Sequence, residues 1–190
     1  MLLLIFSTLL AQRMKNFISD FDTRFFRFWR RHSFSSKTDT FLRLYTRLGD
    51  GYVWVMVVAV IYFFYGKDAL LDMVEQIIPV IFLSLALYWI LKLSLRRKRP
   101  FDLLKDVNAD VPPLDKFSFP SGHTMNNLAV GFTIFASIPQ IGWVVVLMPI
   151  TWGFLRVYYG VHWLSDVVGG IVFGFLSFWF GQILFTIFSK

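Results

Sequence analysis

Cysteine is absent from the 190-residue chain. That excludes disulfides, thiolate metal sites and a cysteine nucleophile, but it leaves the compartment open, because disulfide-free proteins live on either side of a membrane. Charge is also scarce: 16% of the residues are Asp, Glu, Lys or Arg, against about a quarter in soluble domains. Histidine occurs three times. Neither an H-E-x-x-H pattern nor a cluster of carboxylates accompanies it, so no metal site is expected. No internal repeat is visible. What fills the chain is apolar: 56% hydrophobic residues, with 23 Phe, 7 Trp and 7 Tyr. Aromatic rings in such numbers suit a chain that lives in or against a bilayer. The net charge of +7 makes anionic lipid headgroups nearer partners than nucleic acid. No nucleic-acid partner and no obligate protein partner is expected. The length fits one domain over 1–190, with an N-terminal interfacial region at 1–50 and a helical core at 51–190.

The expected architecture is an all-α polytopic membrane bundle of five to six transmembrane helices plus an N-terminal amphipathic helix. Residues 2–10 are apolar but too short to span alone. Arg13 and Lys15 follow the run instead of preceding it, which is not the order of a signal peptide. Over 16–32, Phe17, Phe21, Phe25, Phe28 and Trp29 recur at helical spacing among Arg24, Arg27, Arg30 and Arg31, the pattern of a helix lying in the interface. The uncharged stretch 52–65 can be extended back through Leu42–Leu48 as one longer helix. Residues 77–91 make a second span, ending at Lys92. Residues 124–155 are too long for one span, and Pro139, Gln140 and Gly142 mark a turn between two. Residues 167–189 make the last, where Gly170 and Gly174 allow close helix packing. The loop 96–121 cannot lie in lipid, since irregular backbone there would leave polar groups unpaired.

Parity then gathers the unusual polar residues. The span ending at Lys92 delivers 92–122 to one face. The next two spans leave that face and return, bringing back 156–165. Lys92, Arg99, Ser121, His123, Arg156, His162 and Asp166 therefore share one side of the membrane. Lys92 and Arg99 are either cations for phosphate oxygens or a juxtamembrane anchor. Pro120-Ser121-Gly122-His123 opens a helix, with Ser121 suited to the N-cap and Gly122 allowing a ligand close to the backbone. A helix start of that kind favours an anion. His162 and Asp166, four apart at the start of the last helix, make a pair in which the carboxylate fixes the ring's tautomer and leaves the other nitrogen as nucleophile or base. Together these groups are an inventory for phosphoryl transfer.

The same residues resemble the three-part signature of the type 2 phosphatidic acid phosphatase superfamily. Lys92, Arg99 and Pro100 match K-x6-R-P, Pro120 to His123 match P-S-G-H, and Arg156, His162 and Asp166 match S-R-x5-H-x3-D. One position departs, Leu155 standing where the signature has serine. The resemblance implies that His162 attacks phosphorus to form a phosphohistidine, Asp166 orients it, and His123 protonates the leaving group and then assists water. Lys92, Arg99, Arg156, Ser121 and the Gly122 backbone would hold the phosphoryl oxygens, with no cofactor.

Members of this family act on phosphatidic acid, phosphatidylglycerophosphate, undecaprenyl diphosphate or the 1-phosphate of lipid A, and compact members are typical of bacteria. The motif reads phosphate and does not choose among the lipids. Arg96, Arg97 and Lys98 are candidate contacts for a headgroup with extra negative charge, or ordinary anchors to anionic lipid. The resemblance implies a multi-pass protein of the bacterial inner membrane with its site facing the periplasm. The positive-inside rule points the other way, because all but Lys67 and Lys190 of the 19 Lys and Arg fall on the site's face. Rival readings are a lipid-to-lipid phosphotransferase, a non-catalytic scaffold or transporter on the same fold, and a haloperoxidase, the last disfavoured by the spans.

Overall fold

The computed structural model describes residues 2–189, leaving aside the side chains of residues 2–8 and 11. Its elements are α1 (Leu2–Trp29), α2 (Ser36–Arg47), a 3-10 turn (Leu48–Asp50), α3 (Tyr52–Leu95), the single turn α4 (Pro100–Leu103), α5 (Gly122–Ser137), α6 (Pro139–Tyr158) and α7 (Leu164–Phe188). No strand occurs among the described residues.

The long element α3 is two arms. Gly66 takes φ 89° and ψ 172°, a conformation open to glycine at little cost, and the chain reverses there. The reversal shows in the partners on α5: Trp54 Nε1, before the bend, donates to Asn127, and Ser84 Oγ, after it, donates to Asn126. Ile61 and Met73 pack with Ile134 and Ile138 at the far end of α5. The helix expected to run from Leu42 into the 52–65 span does not form. Gly51, at φ 119°, breaks it, and α2 lies apart from the first arm of α3.

Central α5 packs against α3, α6 and α7. The α5–α6 junction is tighter than the sequence implied: α5 ends at Ser137 and Pro139 is already the first residue of α6, where its missing N–H is no loss. Gln140 and Gly142 therefore lie inside α6 and not in a turn. Gly170 and Gly174 do bring α7 onto α5; a Cβ on Gly174 would sit 2.7 Å from the Met125 carbonyl.

Among the described residues, three stretches, Tyr52–Leu103, Pro139–Tyr158 and Leu164–Phe188, are long and apolar enough to cross a membrane. Their outward faces carry exposed rings, among them Phe63, Phe64, Phe82, Trp143 and Phe180. In water such a continuous apolar surface would drive association, whereas lipid accommodates it. Helix α1 keeps Phe17, Phe21 and Phe28 exposed and turns Asp22 and Phe26 inward, onto Trp163 and Val167. The side chains of the apolar start, up to residue 8, lie outside the described residues. The bend at Gly66 and the α5–α6 junction share one end of the bundle, where Ser137 Oγ reaches Gln76. The polar residues singled out by parity collect at the other.

Candidate active site

Three chain breaks bring the polar residues together. Helix α3 stops at Leu95 because Arg96 adopts a left-handed cap (φ 44°, ψ 39°). Lys92 and Arg99 are thus not two turns of one helix face, as continuation would have made them. They converge from either side of the stop onto one carboxylate, Asp115, at 2.6 Å from Lys92 Nζ and 2.8 Å from Arg99 NH2. Asp115 also accepts from the Tyr88 hydroxyl and the Phe117 N–H. Burial works to raise the Asp115 carboxyl's pKa, but hydrogen bonds from Lys92 and Tyr88 and the charges of Lys92 and Arg99 outweigh it and hold the group below its usual range.

The second break is at Ser121, the N-cap residue of α5. Its hydroxyl does not cap the helix; it accepts from Thr124 Oγ1 at 3.1 Å. Gly122 leaves room for the Tyr88 ring, which a Cβ would meet at 2.9 Å. His123 Nε2 lies 2.8 Å from Asp50 Oδ1, off the line of a hydrogen bond and with no other partner among the described residues. Asp50 sits in the 3-10 turn, held in place as Asn127 donates to the carbonyls of Gly49 and His123. Gly49 is required there: a Cβ would fall 2.7 Å from His123 Cδ2 and 2.8 Å from Trp152. Contact with His123 keeps the Asp50 carboxyl below its usual range, against the opposing effect of partial burial.

The third break separates α6 from α7. His162 is just outside α7, not on its first turn as a helical pair would be. The pairing arises because Asp166, third residue of α7, reaches back to accept from the Trp163 N–H at 2.7 Å, as a carboxylate at that position commonly does. Its Oδ2 is then 3.4 Å from His162 Nδ1. With the proton on Nδ1 facing the carboxylate, Nε2 presents a lone pair, and it lies 3.4 Å from Arg99 NH1. Burial, then the charges of Arg99, Arg156, Lys92 and His123, push the His162 ring well below the usual imidazole range. All of these groups are 4% exposed or less.

Lys92, Arg99, Ser121, His123, Arg156, His162 and Asp166 thus gather at one end of the bundle, and Arg99 and Arg156 each keep a buried Nε without a partner among the described residues. Arg96 and Lys98 are exposed. Arg97 turns toward α1 and α7, bound to Asp22 at 2.5 Å and Asp166 at 2.7 Å. Asp22, Asp50, Tyr88 and Asp115 are residues the sequence reading did not single out. Only Tyr88 carried a signal, one helical turn before Lys92. Leu155, at the departing position of the signature, packs with Val111, Tyr159 and Val161. Among the described residues no three His, Asp or Glu side chains gather as a metal-binding group.

The chain belongs to the PAP2 superfamily, whose family model matches residues 76–188. It is 33% identical over 105 residues to the undecaprenyl-diphosphatase BcrC of Bacillus subtilis, covering 53% of this chain and 54% of that protein. It is 27% identical over 142 residues to the undecaprenyl-diphosphatase of Sulfolobus acidocaldarius, covering 73% of this chain and 66% of that protein. The chain spans about half the length of BcrC, a curated relative it matches. Among solved structures, LpxE of Aquifex aeolicus superposes with a TM-score of 0.70 at 28% identity, over 84% of this chain and 93% of that one. A transmembrane PAP2-type phosphatidylglycerolphosphate phosphatase from Bacillus subtilis gives 0.66 at 24% identity, over 96% and 93%, and speaks for the fold alone.

Proposed function

We propose that the protein is a metal-independent lipid phosphatase that cleaves a phosphomonoester or diphosphate headgroup through a phosphohistidine. The observation that carries this reading is the Nε2 atom of His162, whose ring is backed by Asp166 and which faces Arg99 among buried cations. Nε2 attacks phosphorus as the P–O bond to the lipid breaks, and His123 gives the leaving oxygen its proton. Water then attacks the phosphohistidine, passing a proton to His123 and releasing inorganic phosphate with His162 restored. Asp50 supports the imidazolium form of His123. Lys92, Arg99, Arg156, Ser121 and the Gly122 N–H stabilise the charge on the phosphoryl oxygens, which is usually the largest share of such catalysis.

Undecaprenyl diphosphate heads the substrate panel because two relatives carry that activity in their names; phosphatidylglycerophosphate, the 1-phosphate of lipid A and phosphatidic acid complete it. We assign the site to the periplasmic side of a bacterial inner membrane, so a reporter fused after Lys190 should read cytoplasmic.

The test is phosphate release from this panel in detergent. His162→Ala should lower release by at least about 1,000-fold, with chelators leaving the unaltered protein active. Unchanged release in that variant would overturn the enzyme reading. Dependence of release on an added acceptor lipid would favour a phosphotransferase.

A further inference from the structure

We infer that Asp22 and Arg97 are positioning residues for the reaction, fixing the Asp166 carboxylate from behind, so that the amphipathic helix α1 is part of the catalytic apparatus. This inference rests on the phosphatase reading above. Asp166 divides its two oxygens: Oδ2 faces His162 and the Trp163 N–H, whereas Oδ1 accepts from Arg97 NH1 at 2.7 Å. Arg97 in turn is held by Asp22, which accepts from its NH2 at 2.5 Å. Ser165 closes the junction. Its N–H and hydroxyl both donate to Asp22, at 2.9 and 2.5 Å, and its oxygen accepts from Arg97 NH1 at 2.6 Å. Asp22 is fully buried on the inner face of a helix whose other faces carry exposed rings.

A buried carboxylate on an interfacial helix is costly unless it is paired, and every partner of Asp22 leads to Asp166. The result is a line of alternating charge: the imidazole, Asp166, Arg97, Asp22. As the ring of His162 gains positive character on attacking phosphorus, Asp166 must stay ionised and aimed. Arg97 secures its rotamer, and Asp22 balances the arginine, which would otherwise draw charge away from the dyad. The groups facing His162 from the other elements are Lys92 of α3, Arg99 from the loop, His123 of α5 and Arg156 of α6, with Asp166 of α7 behind it. Asp166 is the anion beside the ring; Asp115 and Asp50 offset Lys92, Arg99 and His123 in front, whereas the Arg97 charge behind Asp166 is balanced by Asp22.

The junction also borders a cavity of about 1070 Å³ between α1 and residues 95–104. Asp22→Asn keeps the side chain's size but sets an NH2 group against the donors of Arg97 or Ser165, so some fall in melting temperature is expected and does not by itself decide the matter. The test uses the full chain in detergent with undecaprenyl diphosphate. The variant should remain folded and bind inorganic phosphate as well as the unaltered protein does. Its kcat should fall about tenfold at unchanged KM, as misaiming a catalytic group slows the step without weakening substrate binding. The acid limb of kcat should move to lower pH by roughly half a unit, since the uncompensated Arg97 charge makes His162 harder to protonate. Asp22→Glu restores the charge and should return the limb to its place.

Unaltered kcat and limb in Asp22→Asn would overturn the inference. So would a fall in melting temperature with kcat and KM changing together and the limb unmoved, the signature of a mere tether. If His162→Ala still releases phosphate, it is the phosphatase reading that fails; if only Asp22→Asn behaves as the unaltered protein, this inference fails alone.

Discussion

Arg97 and Arg99 stand two residues apart and serve opposite sides of the same dyad. Behind it, Arg97 has a carboxylate on each prong and a serine oxygen between. In front, Arg99 gives NH1 to the Val161 carbonyl and NH2 to Asp115, and keeps a buried Nε with no partner among the described residues. Arg97, a quarter exposed and bound to two carboxylates, is held for architecture, because removing it leaves the buried Asp22 and Asp166 without their partner. A buried cation with a donor to spare has been desolvated without full compensation, and that cost is sensible where an anion is to arrive. Arg156 falls on the same side as Arg99: NH2 reaches the Pro112 carbonyl while Nε is unpartnered.

The sharpest way to break this contrast is to exchange the front arginines for lysine. Lysine keeps the charge and loses the planar fork that matches phosphoryl oxygens. Arg99→Lys and Arg156→Lys should each lower kcat/KM by about 100-fold, measured as phosphate release under subsaturating lipid. Phosphate release near that of the unaltered protein in both variants would mean that the front arginines act as simple point charges, and the distinction between the two sides would collapse.

A milder effect is expected at the second histidine. Asp50 lies 2.8 Å from the Nε2 atom of His123, where Asp166 faces Nδ1 of His162, and it is partly exposed and comes from a turn. Asp50→Asn should reduce kcat on the order of tenfold with KM unchanged. A lipid with a better leaving group should recover most of the loss, because it depends less on a proton from His123. If the good leaving group recovers nothing, Asp50 has some other role than supporting an acid.

How much of this was legible in the chain depends on the range of the contacts. The spans and the one-sided gathering of Lys92, His123, Arg156 and His162 follow from hydropathy and helix count, which are local properties. The breaks were harder. Gly51 and Gly66 signal flexibility in a sequence, but only the packing of Gly49 against His123 and Trp152 and the pairing of Trp54 and Ser84 with α5 decide what those bends do. The partners of the histidines and cations were hidden for the same reason. Asp22 lies in a pattern of rings and arginines that reads as interfacial, and nothing in its neighbourhood announces a contact 75 residues away with Arg97, the arginine that holds Asp166. Arg97 sits in a run of four basic residues, and composition cannot say which of them turns inward.

Asp115 supplies the smallest expected effect and the finest test of the front side. It is the carboxylate that Lys92 and Arg99 share, and it holds donors that the reading above assigns to phosphate. Two roles are consistent with that position and have opposite signs. As a scaffold, Asp115 would hold the cations in register, and its loss would weaken phosphate binding. As a rival anion, it would have to yield when phosphate enters, and its loss would strengthen binding. The charge balance favours the rival: Asp115 meets Lys92 and Arg99 with a full negative charge, kept ionised by those same cations, while Tyr88 and the Phe117 carbonyl remain to fix the side chains around it. Asparagine keeps the shape and one acceptor oxygen and removes the charge. Asp115→Asn should therefore bind inorganic phosphate as a competitive inhibitor roughly fivefold more tightly, about 1 kcal/mol, with the difference shrinking as salt is raised. A weaker inhibition constant would assign Asp115 to the scaffold instead, and would make the front of the site, like the back, a network whose charges are set before the lipid arrives.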